Sequence, residues 1–146
     1  MINAINDVTL GGDFTKTKKI KLLYGSQDIV IHADKERISQ VISNLLSNAI
    51  KFTIEGNILI NIEKNKIRSS NTDNEAITVS VKDSGQGIDL SILPRLFTKF
   101  ASKSHKGTGL GLFISKGIIE AHGGKIWGEN NDNGIGATFT FSLPTI

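Results

Sequence analysis

KGTGLGLFISK, residues 106–116, joins a glycine-rich loop directly to an apolar run with helical spacing. Gly107, Gly109 and Gly111 lack the Cβ atoms that would keep backbone N–H groups away from an anion. The helix that follows would point its unpaired amides and the positive end of its dipole in the same direction. The stretch therefore predicts a phosphate-binding loop. A flexible loop or an ordinary helix entry shows the same pattern more often, so other parts of the chain must decide between them.

The composition favours one globular domain, which we place over residues 1–146. The 146 residues are 38% hydrophobic and 21% charged, enough for a core of their own. Cysteine is absent, which excludes disulfides, thiolate metal sites and a cysteine nucleophile. No apolar run has the length of a membrane span, and the N-terminus lacks a signal-peptide pattern. We therefore expect a cytoplasmic domain without membrane contact of its own.

Nucleic acid is not an expected partner. The net charge of +3 is modest, and a single Trp and a single Tyr leave little aromatic surface on which bases could stack. The lysines at 99, 103 and 106 lie just before the glycine loop, where cations would meet phosphates.

Residues 35–52 predict an amphipathic helix with Asp34 as its N-cap. The apolar positions follow helical spacing and define a core-facing side: Ile38, Val41, Ile42, Leu45, Leu46 and Ala49. At about 100° per residue, four polar residues form one stripe beside that side: Arg37, Asn44, Asn48 and Lys51. The stripe is either a solvated flank or the edge of a pocket. Asparagine is a poor helix former, and it gains nothing in the middle of a helix unless its amide has a partner. The two asparagines therefore favour the pocket, although both interpretations stay open.

Apolar alternation predicts six strands, and a helix follows the glycine loop. Residues 20–24 and 29–32 predict two strands joined by a turn. Residues 58–63 and 77–83 predict a hairpin with a long polar loop at 64–75. The helix is expected from about Thr108 to Ala121, capped by the glycines after His122. A strand from Lys125 and a last strand complete the set, the last with its inward face at Ala137, Phe139, Phe141 and Leu143.

These elements do not alternate as regular βαβ units. They predict an α+β fold, a two-layer α/β sandwich whose mixed, mostly antiparallel sheet is covered on one face by about three helices. The first of these helices would lie at residues 2–8.

Asp83-Ser84-Gly85-Gln86-Gly87-Ile88 leaves a predicted strand. It places one carboxylate at the strand end, followed by backbone that can approach a flat ligand closely. The same residue types are typical of a plain turn. Further on, Phe97 and Phe100 are expected to pack under the next loop, and residues 101–106 are expected to form a movable lid.

Taken together and in this order, the motifs resemble the ATP-binding catalytic domain of sensor histidine kinases, within the GHKL ATPase superfamily (HATPase_c). The resemblance extends from about Lys18 to Pro144. It depends on residues 44–52, 83–88, 96–100, 107–112, 122–127 and 134–139.

The resemblance implies two cofactors, ATP and Mg²⁺, and a role for each motif. Asn48 would coordinate Mg²⁺, with Asn44 as a second contributor and Lys51 as a phosphate contact; these three are the expected catalytic residues. Phe52 would form an apolar wall of the pocket, and Asp83 would accept a hydrogen bond from the adenine amino group. Further nucleotide contacts are implied at Gly85, Gly87, Ile88, Phe100, Lys103, Lys106, Gly107, Thr108, Gly109, Leu110, Gly111, Leu112 and Thr138.

Two departures from related patterns narrow the function. Hydrolytic members of the superfamily carry a glutamate where this chain has Asn44, which cannot take a proton from water. The phosphoacceptor histidine of a kinase is followed by an acidic residue, and none of the three histidines here (His32, His105, His122) is. The resemblance therefore implies the catalytic domain of a longer histidine kinase, and this parent protein could be membrane-anchored. Residues 1–17 would form a helix and linker from the junction with its dimerisation domain. The catalytic domain would be monomeric in isolation, phosphorylate a histidine on a separate dimerisation domain and serve a response regulator indirectly.

Two alternatives remain at this point. One is a stand-alone serine kinase of the anti-sigma type, which would use the same nucleotide site. The other is a binding module in which ATP orders the lid without any phosphoryl transfer.

Overall fold

The computed structural model describes residues 19–24, 31–69, 72–100 and 109–145. The described part of the chain forms a five-stranded sheet, two α-helices and a short 3₁₀ helix. The strands are β1 Lys19–Tyr24, β2 Glu55–Ser69, β3 Thr72–Asp83, β4 Lys125–Asn130 and β5 Ala137–Thr145, and the helices are α1 Lys35–Phe52, the 3₁₀ helix Leu93–Arg95 and α2 Gly111–Ala121. Neither α1 nor α2 has the length and apolar character needed to cross a bilayer.

The sheet has the order β1-β2-β3-β5-β4. β1 runs parallel to β2, and the other three pairs are antiparallel. The predicted mixed, mostly antiparallel sandwich is confirmed. Two α-helices lie within the described residues, and the predicted helix at residues 2–8 lies outside them.

The core lies between the helices and one face of the sheet. In register, Ile60 lies opposite Val81, which in turn lies opposite Phe139, and all three are buried. Side chains alternate between the two faces of a strand. Asp83, two residues after Val81, therefore falls on the core face at the end of β3.

Both helix ends predicted from sequence are confirmed. The Asp34 carboxylate accepts a hydrogen bond from the Arg37 N–H at 3.2 Å, which caps α1. At the C-terminal end of α2, Gly123 adopts a left-handed conformation with φ of 76°. The Gly123 N–H donates to the Glu120 carbonyl at 3.0 Å and the Gly124 N–H to the Ile119 carbonyl at 2.9 Å, the Schellman pattern that ends a helix.

His122 links these two ends. The Asp34 N–H donates to His122 Nε2 at 3.2 Å, and His122 Nδ1 lies 2.8 Å from the Ile118 carbonyl oxygen. Because Nε2 accepts, the ring proton must be on Nδ1, where it donates to Ile118. His122 thus has a structural place between the end of α2 and the start of α1.

The long polar loop predicted at residues 64–75 is wrong. β2 continues to Ser69 and β3 starts at Thr72, and their backbones pair throughout. Lys64 Nζ lies 2.8 Å from the Glu75 carboxylate, and this contact lowers the pKa of Glu75. The prediction depended on apolar alternation, which these residues lack. Backbone hydrogen bonds and polar contacts between the two strands stabilise this part of the hairpin instead.

Three smaller predictions also need correction. Residues 31 and 32 are not part of a strand, because the chain is already approaching the cap of α1, and residues 25–30 lie outside the described residues. α2 begins at Gly111 rather than near Thr108, since Gly109 has a φ of 68°, which no α-helix admits. Phe97 packs against the core, whereas Phe100 is 67% exposed. The predicted lid at 101–106 lies outside the described part of the chain.

Candidate functional site

The Asp83 carboxylate is buried, and only one of its two oxygens accepts hydrogen bonds from described residues. The residue is 5% exposed, and its Oδ1 accepts hydrogen bonds from the Gly85 N–H at 2.9 Å and the Ala137 N–H at 3.2 Å. Among the described residues, nothing donates to Oδ2. One oxygen is therefore fixed by backbone, and the other is available to a donor from a ligand.

Burial raises the pKa of Asp83, and the two backbone hydrogen bonds from Gly85 and Ala137 partly oppose that rise. A desolvated carboxylate with a free oxygen costs stability until a donor reaches it. Such an arrangement is typical of functional sites rather than of structural ones.

The segment after Asp83 is held against the end of α1 and the start of β2. The Ser84 N–H donates to the Asn57 carbonyl at 3.2 Å, and the Asn57 N–H donates to Ser84 Oγ at 2.9 Å. The Gln86 N–H donates to the Phe52 carbonyl at 3.3 Å. A Cβ on Gly85 would collide with that same carbonyl oxygen, so this position requires glycine.

Two asparagines, the last residue of β4 and the residue that follows it, hold the same segment from the other side. The Ile88 N–H donates to Asn130 Oδ1 at 2.7 Å, and Asn130 Nδ2 donates to the Ile88 carbonyl at 3.1 Å. Asn131 Nδ2 donates to the Asp83 carbonyl at 2.9 Å. The sequence analysis missed both residues, because asparagine in a turn is ordinary and nothing local distinguishes these two.

Thr138 has a different place from the one predicted. It lies in register with Lys82 and Glu129, between the buried Ala137 and Phe139, so its side chain points away from the core face that carries Asp83. Its hydroxyl donates to Asn131 Oδ1 at 2.6 Å. This placement does not support the predicted direct contact with a nucleotide beside Asp83, and it gives Thr138 an indirect link to Asp83 through Asn131.

Thr53, which the sequence analysis also missed, carries a buried hydroxyl without a partner. It follows Phe52 at the end of α1 and is fully buried. Among the described residues, its Oγ1 is the one side-chain oxygen or nitrogen that is closed to solvent and makes no hydrogen bond. A buried hydroxyl without a partner costs about 1–3 kcal/mol, so this atom, like Asp83 Oδ2, suits a site completed by a ligand or water.

The polar stripe of α1 faces α2. Asn44 Nδ2 donates to the Gly111 carbonyl at 3.1 Å and to Ser115 Oγ at 3.1 Å. Ser115, fully buried, donates in turn to the Gly111 carbonyl at 2.8 Å. The amide nitrogen of Asn44 therefore ties α1 to the first turn of α2, and only its oxygen is left for the metal role predicted from the resemblance.

Asn48 and Lys51 continue the stripe toward Phe52. Asn48 is partly buried and has no hydrogen-bond partner among the described residues. Lys51 Nζ lies 5.1 Å from the centroid of the Phe52 ring. The described residues contain no cluster of three or more His, Cys, Asp or Glu side chains. The unpaired Asn48 amide nevertheless fits Mg²⁺, which needs few protein ligands when water and phosphate supply the rest.

Part of the predicted phosphate loop is described. The Phe100 N–H donates to the Gly109 carbonyl at 2.9 Å, and a Cβ on Gly109 would lie 2.7 Å from the Phe100 Cα. Leu110, Gly111 and Leu112 then lead into the first turn of α2, beside Asn44. The other predicted contacts in this loop lie outside the described residues: Lys103, Lys106, Gly107 and Thr108.

A family model described as "Histidine kinase-, DNA gyrase B-, and HSP90-like ATPase" matches residues 33–146. The chain belongs to this family. That match includes α1, the Asp83 segment and the loop before α2.

The curated relatives include a sensor histidine kinase and a sensor protein. The chain is 34% identical to the sensor histidine kinase WalK of Bacillus subtilis over 141 residues, which cover 90% of this chain and 22% of WalK. It is 40% identical to the sensor protein FixL of Bradyrhizobium diazoefficiens over 119 residues, which cover 80% of this chain and 22% of FixL. The chain therefore spans about a fifth of these two relatives.

Solved structures agree with the sequence relatives. The catalytic domain of the histidine kinase ThkA, in a nucleotide-free form, matches with a TM-score of 0.78 and 35% identity, over 99% of this chain and 92% of that one. Full-length ShkA in complex with AMPPNP matches with a TM-score of 0.78 and 28% identity, over 97% of this chain and 29% of ShkA. The predicted resemblance to a histidine kinase catalytic domain is confirmed.

Asn44→Asp tests the contact between the helices. The substitution removes both donated hydrogen bonds and places a carboxylate against the Gly111 carbonyl, so we expect the free energy of unfolding to fall by about 1–3 kcal/mol. Urea denaturation followed by circular dichroism measures it. Asn133→Asp is the matched control, since Asn133 Oδ1 only accepts from the Ile135 N–H at 3.0 Å and an aspartate keeps that bond. Wild-type stability in Asn44→Asp would contradict the assigned contact.

Asp83→Asn tests the cost of the buried charge. The folded-state pKa of Asp83 is raised, so the native protein takes up the proton first as the pH falls. The charge therefore destabilises the protein above the folded pKa, and this penalty disappears below the unfolded value of about 4. Relative to wild type, Asp83→Asn should raise the free energy of unfolding most at neutral pH. This difference should become smaller as the pH falls and stay constant below about pH 4. Denaturation curves at several pH values measure it, and a difference independent of pH would count against the buried charge.

Proposed function

We propose that this chain binds Mg·ATP and transfers the γ-phosphoryl group to a histidine on a separate dimerisation domain in two-component signalling. The observation that carries the proposal is the buried Asp83 carboxylate, which keeps one oxygen for a donor at the end of a backbone segment held on both sides. The relatives named sensor histidine kinases support the choice of reaction.

The Asp83 segment would recognise the base. Oδ2 is an acceptor, and the exocyclic amine of adenine offers a donor. Guanine has a carbonyl oxygen in the corresponding place, and two acceptors facing each other in a buried site are costly. Gly85 would let the flat ring approach the backbone, and Phe52 and Ile88 would add apolar contact.

The polar stripe and the first turn of α2 would hold the phosphates. The Asn48 amide oxygen would be the protein ligand of Mg²⁺, and Lys51 would contact a phosphate. Bound Mg²⁺ would supply charge neutralisation on the phosphate oxygens. The backbone N–H groups of the first turn of α2, which begins at Gly111, would donate hydrogen bonds to phosphate oxygens, as helix N-termini do to other anions.

The chain's own residues favour transfer over hydrolysis. Asn44 cannot accept a proton, and its amide nitrogen already donates to Gly111 and Ser115, so it does not activate water. In the transfer, the nitrogen of an incoming histidine forms a bond to the γ-phosphorus while the bond to the β–γ bridging oxygen breaks, leaving ADP. The protein supplies position and neutralised charge.

The acceptor histidine would come from another domain. His122 is held between Asp34 and Ile118, and neither His32 nor His105 is followed by the acidic residue that a phosphoacceptor histidine of this family would carry. We therefore propose residues 1–146 as a single cytoplasmic catalytic domain that is monomeric in isolation, with residues 1–17 as the junction to the dimerisation domain. A response regulator would receive the phosphoryl group from that domain.

The test is transfer from γ-labelled ATP, with magnesium, to the dimerisation domain of the parent protein. We expect acid-labile, alkali-stable phosphate on the acceptor histidine, and we expect Asn48→Ala to reduce the initial rate by at least about 100-fold, since it removes the metal's protein ligand. Asn61→Ala, an exposed residue of β2, is the control and should behave as wild type.

Each other outcome excludes part of the proposal. Full activity in Asn48→Ala would remove the magnesium assignment. Phosphate on a serine of a partner would favour the anti-sigma-type kinase. Binding of ATP without transfer to any acceptor would favour the binding module.

A further inference from the structure

Two adjacent asparagines hold the Asp83 segment although they lie more than forty positions away in the chain. Asn130 pairs with the backbone of Ile88 through both its amide oxygen and its amide nitrogen, at 2.7 and 3.1 Å. Asn131 reaches the other end of the segment, where Nδ2 donates to the Asp83 carbonyl at 2.9 Å. The first and last residues of the segment are therefore fixed by neighbouring side chains on one turn.

The orientation of the Asn131 amide follows from its partners. Its nitrogen lies 2.9 Å from the Asp83 carbonyl and 2.8 Å from the Ile135 carbonyl, two groups that can only accept. The NH₂ group must therefore face them, and the oxygen must face Thr138, whose hydroxyl donates to it at 2.6 Å. The amide has no second orientation that keeps these bonds.

The turn that carries the asparagines approaches the segment too closely for other side chains. Gly136 has a φ of 79°, and a Cβ there would collide with the Asp83 carbonyl oxygen. Gly87 has a φ of 80°, and a Cβ there would lie 3.0 Å from Asn130 Oδ1. The Ala137 N–H that anchors Asp83 Oδ1 directly follows this turn, as the first residue of β5. Segment and turn thus fit as one unit.

We propose that Asn130 and Asn131 are positioning residues that hold the Asp83–Ile88 segment in its nucleotide-binding shape before the nucleotide arrives. The proposal rests on the proposed function and specifies how its base-binding side is prepared. A segment that is already ordered loses less conformational entropy on binding, so the two asparagines would improve affinity without touching the ligand. They would not affect the metal and phosphate side, which α1 and α2 build.

Amide hydrogen exchange of the nucleotide-free protein, followed residue by residue by NMR, tests the holding contacts directly. In Asn130→Ala we expect the Ile88 amide to exchange at least about tenfold faster than in wild type, because it loses its acceptor. The amides of Val79 and Val81 in the core should keep their wild-type rates. Asn133→Ala, a third asparagine of the same turn region with no contact to the segment, is the matched control.

Affinity for Mg·ATP, measured by calorimetry on the same variants, tests positioning. Asn130→Ala and Asn131→Ala should each weaken binding by about tenfold, and Asn133→Ala should not. In the transfer assay the loss should appear as a higher KM for ATP with little change in kcat, because the reacting phosphate is held elsewhere. Thr138→Val should lose part of the affinity, and adding it to Asn131→Ala should cost nothing further.

The outcomes separate this inference from the proposed function. Unchanged exchange at Ile88 in Asn130→Ala would overturn the holding role. Faster exchange with unchanged ATP affinity would overturn the positioning role. Faster exchange throughout the core would show that both residues act on the stability of the whole domain, which would overturn a specific role in holding the segment. A wild-type protein that binds no Mg·ATP would overturn the proposed function and the positioning role with it, whereas the exchange data would still report whether the asparagines hold the segment.

Discussion

The buried carboxylate of Asp83 is the group on which the rest of the site depends. β3 places it on the core face because it follows Val79 and Val81 at alternate positions, and the backbone of Gly85 and Ala137 then fixes one of its oxygens. Burying a charge is unfavourable unless it is hydrogen-bonded, so the surrounding chain must be held accurately. A glycine against the Phe52 carbonyl and an asparagine on the Asp83 carbonyl provide that accuracy.

The polar stripe of α1 divides two tasks between neighbouring turns of one helix. Asn44 donates both of its side-chain hydrogen bonds to α2, so α2 is fixed relative to α1. Asn48 lies one turn further and keeps its amide unpaired among the described residues. The same stripe therefore ties two helices together at one point and, among the described residues, leaves an amide without a hydrogen bond at the next.

Sequence periodicity was sufficient for the elements whose contacts are local or regular. The amphipathic pattern of α1, its Asp34 cap, the alternation of β5 and the strand end at Asp83 were all predictable. The prediction failed where long-range pairing decides the structure. The polar residues of the β2–β3 hairpin form strands because their backbones pair with each other, and Asn130 and Asn131 matter because folding brings them to Asp83 and Ile88. Neither fact leaves a local signal.

The central claim is that Asp83 Oδ2 selects a base that donates a hydrogen bond. Calorimetric titration of the wild-type chain with Mg·ATP and with Mg·GTP tests it most directly. ATP and GTP carry the same phosphates, so the metal and phosphate contacts cancel in the comparison. We expect ATP to bind at least about 100-fold more tightly, because guanine would place an acceptor against the buried carboxylate and leave both groups unpaired. Equal affinities for the two nucleotides would exclude the proposed selection of the base by Asp83.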